Sequence, residues 1–567
     1  MEEIISLMQP FYSSEDIKKI IEKLTEYIKE LPRYTKDLED TDWYKSSNIY
    51  FIYPDAIQTE ENFPLENIKF FLPHIKELGC DAVHLLPFFQ SPMRDKGFDI
   101  SNYYLVRENL GGMEKLMEVK EKAESLGMHI FIDLVLNHVS KDHEWFKKAE
   151  NGEEFYRDFF IYTKETPQYV GEVIKKSRIY AEYLVEGEKK LVSIAFPELS
   201  GAIPHWVQGK DWYWYYHTYY PHQLDVNWKN VNVFIEFAKI LLFWSSRGFN
   251  FRFDAVPFVG KGAYKILDEH DPFTHAIVAA FKSLSQLVYP NSTFILEVNE
   301  HITSDIRYFG TTKTKQAELL YNFQLCALLW VSLIEEDASY IWGKLKQEEK
   351  IPLHAQWINF LRNHDEISFA GIKKELLEKI HKKLFPLGLP FRKGYGLSGR
   401  TLSLLQKNEN KLFMSYFLLA SLPGCMLFPY GDEFGKENIP AENLPLEDQQ
   451  DTRNINRGTL DANLMFSIKG KRINSEIAKI LRVRQTYKKY FHSLFEEISV
   501  DKTIFAAKYK SEDTEICIFI NLSNKKQQIT YDCSSYKEIA HINSVICSNT
   551  QINLEAYSGI WLKKHIE

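Results

Sequence analysis

Eight short apolar runs, separated by longer stretches of helical periodicity, constrain this chain more than any other feature. They are Asn48-Ile-Tyr-Phe-Ile-Tyr-Pro, Ala82-Val-His-Leu-Leu-Pro, His129-Ile-Phe-Ile-Asp-Leu-Val, Phe249-Asn-Phe-Arg-Phe-Asp-Ala, Thr293-Phe-Ile-Leu-Glu-Val-Asn, Leu319-Leu-Tyr-Asn-Phe-Gln, Trp357-Ile-Asn-Phe-Leu-Arg-Asn and Cys425-Met-Leu-Phe-Pro-Tyr-Gly. Short runs this uniformly apolar suit strands buried on both faces, the condition of a parallel sheet covered by helices. Eight of them alternating with helices over about 400 residues predict an α/β chain of the (β/α)8 TIM-barrel type rather than an open doubly wound sheet. A dinucleotide fold is further disfavoured because no Gly-rich phosphate fingerprint follows the first run.

Spacing sets the rest of the organisation. About 110 residues lie between the third and fourth runs, far more than one crossover requires, so an inserted subdomain is expected over 140–228, on the face where the strands end. Residues 1–45 read as a helical N-terminal extension, in which SSEDIKKIIEKLTEYIKEL offers a serine cap ahead of its apolar positions. The barrel with its insertion takes 46–494, and from 495 to 567 short alternating runs such as Thr503-Ile-Phe-Ala-Ala-Lys-Tyr predict a C-terminal antiparallel β-sandwich.

Several classes of partner are excluded. A net charge of -8, from 69 Lys and Arg against 77 Asp and Glu, comes without a basic stripe to neutralise a phosphate backbone, so no nucleic acid partner is expected. No run approaches the roughly 18 to 20 apolar residues that span a bilayer, and the start MEEIISLMQP has no positive leader before an apolar run. The expectation is a cytoplasmic protein with no membrane partner. Cys80, Cys326, Cys425, Cys517, Cys533 and Cys547 show no metal-ligand spacing and are expected to be reduced and packed, with no metal and no cofactor.

Polar residues concentrate at the ends of the predicted strands: Asp133 to His138 after the third, Arg252 and Asp254 on the fourth, Glu297 on the fifth, and Asn363-His364-Asp365 after the seventh. In a TIM barrel these ends converge on one face. Cleaving a glycosidic bond with retention needs one carboxylate as nucleophile and a second carboxyl to protonate the leaving oxygen, about 5 to 5.5 Å apart, which adjacent barrel strands can supply. Arg252 lies two residues before Asp254, so both side chains share a face and the guanidinium can keep the aspartate ionised. A lone Asp at a strand end is more often only a helix cap; the ordered set outweighs that.

The stretches Asp133-Leu-Val-Leu-Asn-His138, Gly248-Phe-Asn-Phe-Arg-Phe-Asp254, Glu297-Val-Asn and Phe360-Leu-Arg-Asn-His-Asp365 resemble, in order and spacing, the four signature regions of the α-amylase superfamily of glycoside hydrolases. The resemblance covers about 500 residues, a domain-sized match, and implies Asp254 as nucleophile, Glu297 as acid/base, and Asp365 as the carboxylate that stabilises the transition state. His138, Arg252 and His364 would contact the glucosyl ring. Gln223-Leu-Asp-Val-Asn227 resembles the segment typical of oligo-1,6-glucosidase-like members. Asp95 and Arg457 match the pair that grips a terminal glucose, and Phe98 stands where most such glucosidases carry tyrosine, keeping the stacking ring but not its hydroxyl.

These matches imply an exo-acting α-glucosidase or transglucosylase on small α-glucosides such as sucrose, trehalose or short malto-oligosaccharides. Phe360-Leu-Arg-Asn-His-Asp-Glu366 and Pro429-Tyr-Gly-Asp-Glu433 are similar to trehalose synthases, whereas Gly97-Phe-Asp99 and Arg453-Asn-Ile-Asn-Arg457 are similar to sucrose phosphorylases, so transfer to phosphate stays open as an alternative. A non-catalytic sugar-binding relative is the alternative of another class. Tyr53-Pro-Asp-Ala-Ile-Gln58 lacks the Asp/Asn-rich loop that binds calcium in many relatives, although Asn137 could serve a structural calcium at the insertion. The aromatic run 211–220 is expected to pack the insertion, with an acceptor-lining role as the lesser alternative. Acceptor, aglycone and oligomeric state are not legible at this level.

Overall fold

A computed structural model describes residues 1–35, 41–175, 178–264, 271–298, 305–347, 350–492 and 494–566. All eight apolar runs form strands of one closed parallel barrel: β1 Asn48–Ile52, β2 Ala82–Leu85, β3 His129–Val135, β4 Asn250–Asp254, β5 Phe294–Leu296, β6 Leu319–Tyr321, β7 Gln356–Asn359 and β8 Cys425–Pro429. Sequential strands are neighbours, and the barrel closes where β1 pairs with β8, Asn48 opposite Met426. Every residue of β1, β2, β4, β5, β6 and β8 is buried. That explains why these runs lack the polar alternation of a half-exposed sheet.

The covering helices carry their own signals. Val231–Ser245 starts at Asn230, whose side chain accepts from the Asn232 N–H, and is apolar around most of its circumference. The N-terminal helix Ser14–Glu30 and the helix Pro272–Val288 pack against it. Ser13 caps that N-terminal helix in a reciprocal box with Asp16, and the Tyr12 hydroxyl donates to Trp228 O at 2.5 Å. The extension is thus part of the barrel's outer layer.

The long third connection forms the expected insertion, built of short antiparallel sheets, and Gln223–Asp225 returns to pair with His138–Ser140 beside the end of β3. A second elaboration, not foreseen from the sequence, follows β7: Ile367–Ser368, Leu389–Phe391 and Gly396–Ser398 form a three-stranded antiparallel sheet. At the C-terminus a five-stranded and a three-stranded antiparallel sheet enclose a second core that includes Phe519, Ile552, Leu554 and Ile560. Trp561 on the larger sheet donates through Nε1 to Ser421 Oγ at 2.8 Å, which ties this domain to the barrel. The six cysteines are free, and among the described residues no helix is long and apolar enough to cross a membrane.

Candidate active site

The ends of the strands enclose a pocket lined by Asp95, Phe98, His138, Asp254, Glu297, His364, Asp365 and Arg457 together with residues of the insertion and of the loops after β7 and β8. Every site residue singled out from the sequence reaches it, except Arg252, which lies wholly buried beneath it. Asn299, the last residue of the Glu297-Val-Asn stretch, lies outside the described residues.

Arg252 organises the floor. Its Nη1 donates to Asp133 Oδ1 at 2.6 Å and to Asp254 Oδ1 at 2.7 Å, the same-face placement expected of residues two apart on a strand. Its Nη2 stands 2.6 Å from Glu297 Oε2 without the alignment of a hydrogen bond. Glu297 Oε2 also accepts the Ala255 N–H at 3.3 Å. Ala255 sits in the left-handed region at φ +47°, a strained conformation for a residue with a Cβ, and this turn brings its amide to the glutamate. Below, His84 Nε2 is 2.9 Å from Asp133 Oδ2.

Shared burial separates the carboxyl groups electrostatically. Burial raises Glu297 to about 8 against the opposing pull of Arg252, with Asp254 and Asp365 adding to the rise. Asp254 is also pushed up by burial, and Asp133 and Asp365 add to that while Arg252 opposes it. Two such neighbouring groups titrate as a pair rather than independently. Asp254 alone receives the aligned, charge-assisted bond from Nη1, which favours its anion, so the proton resides on Glu297. Burial works against ionisation of Asp365 too, but His364, Arg453 and Arg457 overcome it and hold this carboxyl well below the usual range.

The wall opposite is a cage of arginines. Arg453 Nη1 and Arg457 Nη2 donate to Asp365 Oδ1 at 3.0 and 2.9 Å. The same two guanidiniums lie 3.6 and 3.8 Å from Asp95 Oδ1, and Gln223 Nε2 donates to Asp95 Oδ2 at 2.8 Å. That bond explains the placement of the Gln223-Leu-Asp-Val-Asn227 segment: it orients Asp95. The loop carrying Asp95 and Phe98 turns at Gly97, with φ +103° and Pro87 O 2.9 Å from where a Cβ would stand, so only glycine fits. Arg453 also grips Asp451 through Nε and Nη2, and its guanidinium lies over the rings of both Phe196 and Phe391, 4.4 and 4.9 Å from their centroids.

The two histidines are neutral. Burial lowers His138 to about 4 and His364 to about 3. Asn137 Nδ2 donates to His138 Nδ1, leaving Nε2–H to donate to Phe98 O at 3.2 Å. Phe98 stacks on His364, rings 5.1 Å apart and 9° from parallel. Of the aromatic run, Tyr219 lines the pocket, Trp214 and Tyr216 belong to the insertion's own cluster, and Trp212 is 76% exposed.

Asn137 does not serve a calcium ion here. Its Oδ1 accepts from Lys261 Nζ, its Nδ2 donates to Asp225 Oδ1 at 3.0 Å, and Lys261 Nζ lies 2.7 Å from Asp225 Oδ2 and 2.9 Å from Phe258 O. A buried ammonium already supplies the cation, and the oxygen donors fall short of the six to eight that calcium takes. Among the described residues no group of three His, Cys, Asp or Glu side chains is placed to hold a metal ion.

Sequence reasoning missed Arg453, Glu366, Arg392 and the Asp133–His84 support. Asp133, Glu366 and Arg453 fall inside the motifs above. Arg392 comes from the unforeseen sheet and had no signal.

A closed eight-stranded parallel barrel with an insertion after β3, and buried carboxyl groups paired to arginines at its strand ends, defines the class: an enzyme of the α-amylase superfamily. The family model "Alpha amylase, catalytic domain" matches residues 51–387, and the chain belongs to that family. It is 30% identical over 405 residues to "Trehalose synthase" of Thermus thermophilus, an alignment that covers 70% of this chain and 39% of that protein, so the chain spans well under half of that relative. It is 27% identical over 366 residues to "Salivary alpha-glucosidase" of Anopheles gambiae, covering 58% of each. A solved trehalulose synthase shares the fold with a TM-score of 0.70 over 92% of this chain and all of the other, at 15% identity.

Proposed function

We propose that this protein is a retaining, exo-acting α-glucosidase or transglucosylase that works on small α-glucosides in the cytoplasm through a covalent glucosyl-enzyme. The observation that carries this reading is the single buried guanidinium of Arg252, which reaches Asp254, Asp133 and Glu297 at once. Asp254 attacks the anomeric carbon, and Glu297, protonated at neutral pH, gives its proton to the departing glycosidic oxygen. Asp365 stays anionic and faces the positive charge that develops on the ring. Glu297, now ionised, then takes a proton from the incoming acceptor as the ester to Asp254 is broken.

Exo action is supported by the cage. Asp95, Arg453 and Arg457 would meet the hydroxyls of one glucosyl unit, and Phe98 would lie against its ring. The relatives named trehalose synthase and α-glucosidase favour small α-glucosides as donors. A binding-only role would not require a proton-holding glutamate beside an ionised aspartate.

The test is a product profile over a panel of disaccharides with water, phosphate and sugar acceptors, for the wild type and Asp254→Asn. The variant should lose turnover by at least about a thousandfold while keeping its fold. Undiminished activity removes Asp254 from the mechanism.

A further inference from the structure

The far side of the pocket is built by the small sheet that follows β7. Its turn holds two consecutive residues in the left-handed region, Arg392 at φ +52° and Lys393 at φ +51°. Residues with a Cβ keep this conformation only where their surroundings impose it. Here the insertion imposes it. The Lys393 N–H donates to Glu198 Oε1 at 2.5 Å, Lys393 Nζ pairs with Glu172, and Phe391 packs edge-on against Phe196 at 5.2 Å. The Lys393–Glu172 pair is solvent-exposed and contributes little, so the amide bond and the ring contact do most of the fixing.

The turn thereby places Arg392 in the pocket wall beside Glu366. Arg392 Nη1 and Glu366 Oε1 are 3.9 Å apart, too far for a hydrogen bond and close enough for both to reach neighbouring hydroxyls of one ring. Arg453 and Arg457 already serve Asp365, Asp95 and Asp451.

We propose that Glu366 and Arg392 form the acceptor-binding half of this pocket and recognise adjacent hydroxyls of a neutral sugar, with Lys393 and Glu198 as positioning residues. The assignment rests on the glucosyl-enzyme proposed above and names the acceptor it serves. An acceptor hydroxyl oxygen bonds to the anomeric carbon as the bond from that carbon to the Asp254 oxygen breaks. The electron pair returns to Asp254, and the hydroxyl proton passes to Glu297. Phosphate is a poor acceptor here, because Glu366 offsets the one guanidinium that would face it and Asp365 lies next to it in the chain.

The test uses the full chain with p-nitrophenyl α-D-glucopyranoside as donor and glucose, fructose or inorganic phosphate as acceptor. The wild type should transfer glucosyl to the monosaccharides and form no glucose 1-phosphate. Arg392→Ala and Glu366→Gln should each lower the ratio of transfer to hydrolysis by about tenfold, with a raised acceptor KM, as expected for a lost charged hydrogen bond. Glu198→Ala should raise the acceptor KM a few-fold, and Glu198→Gln, which keeps an acceptor oxygen for the Lys393 amide, should restore it. Donor turnover with an unchanged ratio in these variants, or glucose 1-phosphate from the wild type, overturns the acceptor assignment alone. No release of p-nitrophenol by the wild type overturns the glucosyl-enzyme and this assignment with it.

Discussion

Glu297→Gln isolates the proton of this side chain from its shape. Glutamine keeps the size and can still accept the Ala255 N–H, but it does not titrate. Buried Glu297 is raised from 4.5 to about 8, so between those values the folded protein holds a proton that the unfolded chain has released. The sign follows: the folded state is favoured below the unfolded pKa and loses that advantage as pH rises to the folded pKa. At about 1.36 kcal/mol for each pH unit across this gap, Glu297 destabilises the fold by on the order of 5 kcal/mol at pH 9 relative to pH 4. An unfolding entropy of about 2.1 cal/mol/K per residue gives about 1.2 kcal/mol/K for this chain, so that energy corresponds to about 4 °C. Thermal unfolding followed by circular dichroism should therefore show the Tm of the variant gaining about 4 °C on the wild type between pH 4.5 and pH 9. Kinetics supply the second half. Cleavage of a disaccharide, whose leaving oxygen needs a proton, should slow by about 10²- to 10⁴-fold, while formation of the glucosyl-enzyme from 2,4-dinitrophenyl α-glucoside, whose leaving group needs none, should change far less. A Tm difference that does not vary with pH, or equal slowing on both donors, would refute the assignment of the proton to Glu297.

Three further outcomes are expected. Lys261→Met leaves Asp225 buried without its cation and should cost about 3 to 5 kcal/mol, read as a lower urea midpoint at pH 7. Asp95→Asn weakens the charge that Arg453 and Arg457 share with it and should raise the disaccharide KM by about tenfold with a smaller change in kcat; a fall confined to kcat would place Asp95 outside ground-state binding. His138 and His364, lowered to about 4 and about 3, favour the fold fully above the unfolded value near 6.5 and lose that contribution as pH falls toward their folded values. The urea midpoint should therefore drop between pH 6.5 and 4.5, and His138→Gln should flatten the slope by about one proton.

What the sequence disclosed and what it withheld divide along one physical line. Strands buried on both faces must be uniformly apolar, so all eight barrel strands were visible as runs, and the polar residues at their ends, Asp254 and Glu297 among them, stood out against that background. Arg252 could be assigned to Asp254 because the two-residue period of a strand fixes side-chain direction. The arginine cage was only half legible. Arg457 matched a family pattern, but Arg453, which binds the same Asp365 oxygen, owes its place to a loop after β8 with no period to read. Likewise the sheet after β7 is made of strands two or three residues long, too short to show alternation, and in its turn Gly394 marks a tight bend without showing that Arg392 and Lys393 before it are also held at positive φ.

The same division separates the two halves of the chemistry. Donor binding and bond cleavage draw on side chains fixed by barrel strands and by the cage that Asp365 and Asp95 share, a charge-balanced block in which moving one residue strands another buried charge. The acceptor side is held by contacts between two loop elements: an amide to Glu198, two rings, and an exposed ion pair. Those contacts are few, and of them only the two rings touch the buried block, through the Arg453 guanidinium. On the proposed acceptor assignment, the identity of the attacking group is set by the weaker set of interactions. With p-nitrophenyl α-D-glucopyranoside, whose aglycone carries no sugar hydroxyls, substitutions at Arg392, Lys393 and Glu198 should consequently change the ratio of transfer to hydrolysis more than the rate at which Asp254 is glucosylated.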